Sequence, residues 1–182
     1  MVTPTIPQSR PDIISLEDWI VNLPDRQEWV NGALVAKNDM TLQHGRLQAK
    51  LATYWRNYKD TTERGGEVYT EVPCRTQSQG RYPDVAYLTP ELVEQYGNAS
   101  VLPQSFPLIA EIVSPTDFAE AIVAKSTEYL TSGGEEVWLL LPENRWIIPI
   151  TRSSRQIFAS GDTVSTQSIL PGFYLAVDEL FA

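Results

Sequence analysis

Read as apolar and polar positions, the chain changes period several times, and each change marks an element. Leu16, Trp19, Ile20 and Leu23 recur at helical spacing behind Ser15 in SLED, a capping sequence, and Pro24 closes the run. Two short apolar runs in QEWVNGALVAKN flank Asn31-Gly32, a pair suited to a two-residue hairpin turn. Thr41 can cap a helix running to about Lys59, with Leu47, Leu51, Tyr54, Trp55 and Tyr58 on one stripe.

Alternation then takes over. EVYTEVPCR reads as one strand, with Val68, Thr70 and Val72 on one side and Tyr69 and Glu71 on the other. In YPDVAYL, Tyr82, Asp84, Ala86 and Leu88 share a side, and the polar TQSQGR between the two runs predicts an antiparallel hairpin. ELVEQYG is a short helix. Leu108 to Val113, fenced by Pro107 and Pro115, is the continuous apolar run of a strand covered on both faces. TDFAEAIVAKSTEYL returns to helical spacing, with Phe118, Ile122, Lys125 and Tyr129 on the inward stripe and Ser132-Gly133-Gly134 as its end. EEVWLLLPE is a second buried strand, and strand, crossover helix, strand predicts a parallel pair. RWIIPIT, RQIFAS and the tail to FYLAVDELFA add strands and a closing turn or helix.

This order predicts an α/β chain (α+β, mixed sheet) with helices packed on the sheet. Residues 1–12, rich in proline and polar side chains and without period, are expected to be a flexible arm, and 13–182 a single domain. At 182 residues and 42% hydrophobic the chain can build a full core. It shows no apolar stretch of about 18 residues and no charged-then-apolar leader, so a cytoplasmic protein without a membrane span is expected.

Two carboxylates break this apolar pattern. Glu111 stands among Leu108, Ile109, Ala110, Ile112 and Val113, where a carboxylate needs a cation, a hydrogen-bond network or a proton. Asp84 lies in the other strand-like run, and neighbouring strands about 5 Å apart would set the two acids side by side. A divalent cation between them is the simplest remedy for their repulsion. Lys125, on an inward stripe, either snorkels to water or meets these acids, where its ammonium could orient a water or stabilise an anionic oxygen. Glu111 and Lys125 could equally form a buried ion pair, and Asp84 could be a strand-end residue. His44, at the head of a helix stripe, is a packing residue or one within reach of the site, and Glu71 is an exposed strand residue or a third acid.

With one cysteine, Cys74, and one histidine, neither an internal disulfide nor a Cys/His zinc cage can form, so a metal would take oxygen donors, which favours Mg²⁺ or Mn²⁺. The net charge of −9 opposes a phosphate backbone overall. A local basic cleft would draw on Arg46, Lys50, Arg56, Lys59, Arg75 and Arg81, unless these form a solvated face.

Several words of the sequence, taken together and in order, resemble the Uma-type restriction endonuclease family of the PD-(D/E)xK nuclease superfamily, over about residues 15–182. They are Glu28 with Asn31-Gly32 in EWVNGALV, His44, Pro83-Asp84-Val85, Glu111 with Ser114-Pro115 in EIVSP, Lys125 with Tyr129 in KSTEY, VWLLLPE, and LPGFYLAVDELF. The resemblance implies a restriction-endonuclease-like core of helix, three strands, helix and strand, with the Asn-Gly hairpin before it and further strands after it. It implies Mg²⁺ (or Mn²⁺) bound by Asp84, Glu111 and the backbone carbonyl of Ile112, and Glu28 as a further acid. The superfamily's usual lysine stands two residues after the glutamate, where this chain has Val113; the resemblance makes Lys125 its relocated equivalent. The implied reaction is phosphodiester hydrolysis; DNA is the expected substrate, and a homodimer is expected because cleavage of both strands suits two-fold symmetry. The chain departs at Ala121, where family members carry an aspartate one turn before the lysine, which would leave Lys125 unpaired. VWLLLPE also lacks the aspartate of the family's YW-x-x-D-P. A catalytically inactive nucleic-acid-binding or structural protein on the same fold is the alternative reading.

Overall fold

A computed structural model describes residues 12–37 and 40–182, so the expected arm over residues 1–12 lies, but for residue 12, outside the described residues. Helix α1 (Leu16–Val21) starts as its sequence requires: the Ser15 hydroxyl accepts the Asp18 N–H at 3.0 Å and donates to the Asp18 carboxylate at 2.6 Å. Strands β1 (Gln27–Val30) and β2 (Ala33–Ala36) form the hairpin, with positive φ at Asn31 (51°) and Gly32 (82°). Helix α2 (Leu42–Thr61) begins where the Thr41 hydroxyl accepts the His44 N–H at 3.1 Å. There follow β3 (Glu67–Thr70), β4 (Cys74–Arg75), β5 (Gly80–Arg81), β6 (Val85–Leu88), α3 (Pro90–Tyr96), β7 (Leu108–Ile112), α4 (Ala119–Thr131), β8 (Glu136–Leu141), β9 (Trp146–Thr151), β10 (Thr163–Ser165), β11 (Tyr174–Ala176) and α5 (Val177–Phe181).

The central sheet has the order β3-β6-β7-β8-β9. The β7–β8 pair joined through α4 is parallel, and the other pairs are antiparallel. On one face Val85, Ala110, Trp138 and Leu140 pack with Leu47, Leu51 and Trp55 of α2 and with the C-terminal segment. On the other, Ala86, Ile109, Val137 and Leu139 pack with Tyr129 and Leu130 of α4. Burial on both faces is why β7 and β8 are apolar but for Glu111 and Glu136; each large aliphatic side chain so buried contributes about 1.5–3 kcal/mol. The carboxylate of Glu136, fully buried on β8, accepts the Trp138 indole N–H at 2.6 Å and the backbone N–H groups of Gln167 and Ser168 at 2.8 Å each, tying the C-terminal segment to the sheet. Among the described residues no helix is long and apolar enough to cross a membrane.

Three expectations are corrected. EVYTEVPCR is not one strand: Glu71 takes a left-handed φ of 56°, and the chain leaves the central sheet there. Its continuation, β4, pairs with β5 in a second sheet of order β2-β1-β5-β4, so the polar stretch before Asp84 ends in a short strand, β5, after its turn. RQIFAS is not a strand; Phe158 and Arg155 make only isolated bridges to β9. Phe118 does not share the inward stripe of α4, because the helix begins at Ala119 and Phe118 is 82% exposed. A two-stranded sheet of β10 and β11 completes the fold.

The second sheet is locked to α1 at one point. A Cβ at Gly80 would collide with the ring of Trp19, which is fully buried and donates its indole N–H to the Gln27 carbonyl at 2.7 Å. Overpacking of this kind costs about 1–3 kcal/mol. Gly80→Ala is therefore expected to lower the unfolding free energy by about that amount in urea titrations; a midpoint equal to wild type would contradict this packing.

Candidate active site

The β6–β7 register pairs Val85 with Ala110, and one step further places Asp84 opposite Glu111. Asp84 is 2% exposed and accepts bonds on both oxygens. Oδ2 takes the Ile112 backbone N–H at 2.7 Å, and Oδ1 takes the Lys37 ammonium at 2.9 Å with His44 Nε2 at 3.3 Å. Gln48, one helical turn after His44, donates to the Asp84 backbone carbonyl at 2.9 Å. Burial alone would raise the pKa of Asp84, but the His44 bond, the Lys37 charge and the Ile112 amide outweigh it and hold the group well below the usual carboxylate range. It is an anion in the folded protein.

Glu111 is served from α4. Its Oε1 accepts the Tyr129 hydroxyl at 2.7 Å and its Oε2 the Lys125 ammonium at 3.0 Å. Burial raises its pKa, Lys125 opposes this, and the Asp84 charge adds to the rise, so Glu111 ends above its ordinary value. Burial pulls Lys125 down, yet Glu111 and Glu28 hold it protonated, with a net upward shift.

The second acid on Lys125 comes from the second sheet. Glu28 Oε1 accepts from Lys125 at 3.1 Å and from the Tyr82 N–H at 3.1 Å, while its Oε2 accepts from Arg81 Nη1 at 2.9 Å. Arg81 is itself gripped by Glu128, Nε to Oε1 at 3.0 Å and Nη2 to Oε2 at 2.6 Å, and Thr76 donates its hydroxyl to Glu128 Oε1 at 2.7 Å. This planar two-bond grip suits guanidinium in a way an ammonium could not reproduce. Glu28, Lys37, His44, Arg81, Asp84, Glu111, Lys125 and Glu128 all border one cleft of about 630 Å³, whose wall includes Ala121 and Pro115.

A model of the Uma2 family, described as "Putative restriction endonuclease", matches residues 14–178. The chain belongs to the Uma2 family. Its fold is also that of a solved structure, the crystal structure of a "putative nuclease belonging to DUF820" from Anabaena variabilis ATCC 29413, with TM-score 0.82, 17% identity, and coverage of 93% of this chain and 98% of that one. A search of curated proteins gave no match.

In this Uma2 protein the structure brings Asp84, Glu111, Lys125 and Glu28 together, although Glu28 arrives from a different sheet. Ile112 meets Asp84 through its amide. His44 and Glu71 gather on the Lys37 side, where donor atoms of His44, Glu71 and Asp84 all lie within 4.8 Å of one another. Lys125 is not left unpaired by Ala121, because Glu28 supplies a carboxylate from across the cleft. The basic set is dispersed. Arg46 and Lys50 bond C-terminal carbonyls, Arg56 pairs with Glu67, Lys59 with Asp60, and Arg75 lies 3.9 Å from Glu17. Of the six, Arg81 alone borders the cleft, and its charge is spent on Glu28 and Glu128.

Sequence reasoning missed Lys37, Gln48 and Glu128. Gln48 was within reach, since it stands four residues after His44 and therefore on the same helix face. Nothing local distinguishes Lys37 or Glu128 from solvated charges.

Glu28 yields a pH prediction. Burial raises its pKa, but Lys125, Arg81 and the Tyr82 amide together bring it from 4.5 to about 2. A depressed carboxylate contributes stability above its unfolded value that is lost as pH falls through the folded one. Glu28→Gln is expected to reduce stability at pH 7 by on the order of a few kcal/mol, with the gap to wild type closing between pH 4.5 and about 2. Unfolding curves that stay parallel across that window would contradict it.

Proposed function

We propose that this Uma2 protein is a Mg²⁺-dependent endonuclease that hydrolyses DNA phosphodiester bonds. The observation that carries the reading is the approach of Asp84, immediately before β6, to Glu111 on the paired strand β7, with the Lys125 ammonium 3.0 Å from Glu111, at the edge of an open cleft. The family's description as a restriction endonuclease supports it.

The donor set fits a hard divalent ion. The facing groups are carboxylate oxygens, and Lys125 divides its charge between Glu111 and Glu28. Asp84, Glu111 and the Ile112 carbonyl would hold the metal. When bound, the ion lowers the pKa of a coordinated water and offsets charge on the phosphate. The chain's own residues supply the rest. Tyr129 and Lys125 fix the two oxygens of Glu111. Lys125, kept cationic by Glu28, presents positive charge where negative charge develops on a phosphate oxygen. Glu28 is held in turn by Arg81, which Glu128 fixes, so the ammonium's position is set before substrate arrives. Cleavage of both strands suits a two-fold symmetric homodimer.

The test is conversion of supercoiled plasmid to nicked circles with Mg²⁺ or Mn²⁺. Wild type should nick and EDTA should stop it; Asp84→Asn, Glu111→Gln and Lys125→Met should each lower the rate by about 10²-fold or more. Failure of wild type to nick, with Glu111→Gln indistinguishable from it, would overturn the enzymatic reading in favour of an inactive protein on the nuclease fold.

A further inference from the structure

Asp84 has an acid on each side. The β3–β6 register ends at Thr70 and Val85, and beyond it the Lys37 ammonium bridges the carboxylates of Glu71 and Asp84 on one flank, while the β6–β7 register brings Glu111 beside Asp84 on the other. Each flanking acid has its own lysine: Lys125 bonds Glu111, and Lys37 bonds Glu71. Two acid pairs sharing a central carboxylate could accommodate two divalent ions.

The two flanks differ in how completely the chain's own cation satisfies them. Lys37 Nζ donates to Glu71 Oε2 at 2.7 Å, to the Tyr82 carbonyl at 2.7 Å and to Asp84 Oδ1 at 2.9 Å. Three ammonium protons meet three oxygens from two segments of the chain, and the lysine side chain is 11% exposed. The cluster it occupies, His44, Glu71 and Asp84, has its donor atoms within 4.8 Å of one another, compact enough to share a single ion. On the other flank Lys125 divides its bonds between Glu111 and Glu28.

We infer that the Lys37 ammonium is a resident cation standing in place of a second divalent ion on Asp84, so that the centre admits one divalent ion instead of two. Lys37 is thus a positioning residue that holds Asp84 Oδ1 and sets the metal stoichiometry. The inference rests on the proposed metal-binding reading of Asp84 and Glu111 for its first ion, and on the His44, Glu71 and Asp84 cluster for the second.

Binding of Mn²⁺ to the full chain, measured by calorimetry and by the loss of free Mn²⁺ signal in electron paramagnetic resonance, separates these two supports. Wild type and Lys37→Arg should bind one ion, lost in Glu111→Gln. Lys37→Met should bind two, and Lys37→Met/His44→Ala should return to one. Removing the ammonium leaves two carboxylates facing each other, so Lys37→Met is also expected to melt lower than wild type in EDTA and to gain more from Mn²⁺. If Lys37→Met folds only with Mn²⁺ present, that dependence supports the inference. A wild type that binds no ion while Lys37→Met binds one, sensitive to His44→Ala, would uphold the role of Lys37 and overturn the Asp84–Glu111 reading. Two ions in wild type, or no additional ion in Lys37→Met, would overturn the role of Lys37.

Discussion

The structure depends on the compensation of carboxylates crowded onto adjacent strands. Glu71, Asp84 and Glu111 stand abreast, on or beside β3, β6 and β7, and Asp84 is almost wholly removed from water. Such a row would protonate or unfold the sheet edge unless cations met it. The chain supplies two ammoniums, from the end of the hairpin and from α4, and each reaches two carboxylates. A buried pair of this kind is weak evidence of stability but fixes geometry closely, because losing either partner leaves an unmatched charge.

This constraint gives the second sheet its purpose. β1 carries Glu28 and β5 carries Arg81, and with Glu128 they form an alternating chain of charge that ends on Lys125. The hairpin, whose turn requires positive φ at Asn31 and Gly32, also leads directly into Lys37. The apolar faces of the central sheet keep this row in register. A slip of one residue would turn Glu111 toward the Leu47, Leu51 and Trp55 side and Ile112 toward the cleft.

Most of the fold was legible from period and punctuation. Ser15, Thr41 and Asn31-Gly32 mark ends and turns through local bonds that the sequence states directly, and the apolar runs of β7 and β8 announce a sheet covered twice. What failed was non-local. A strand through Glu71 follows from alternation, but its left-handed backbone is imposed by the passage from one sheet to the other. In the site, Asp84, Glu111 and Lys125 were conspicuous because their neighbours are apolar. Lys37 and Glu128 were not, since the partners of Lys37 lie 34 to 47 residues away and the Arg81 that meets Glu128 lies 47 away. The charge of Arg81 could be read but not its use, which is turned inward on acids.

The central claim is that Asp84 and Glu111 together hold a divalent ion. Its most direct test is a crystal of the wild-type protein soaked in Mn²⁺ and measured at a wavelength where manganese scatters anomalously. The account predicts one anomalous peak, within coordinating distance of both carboxylates, about 2.0–2.3 Å from an oxygen of each. No peak there, with Lys125 and Lys37 still bonded to the acids, would contradict it.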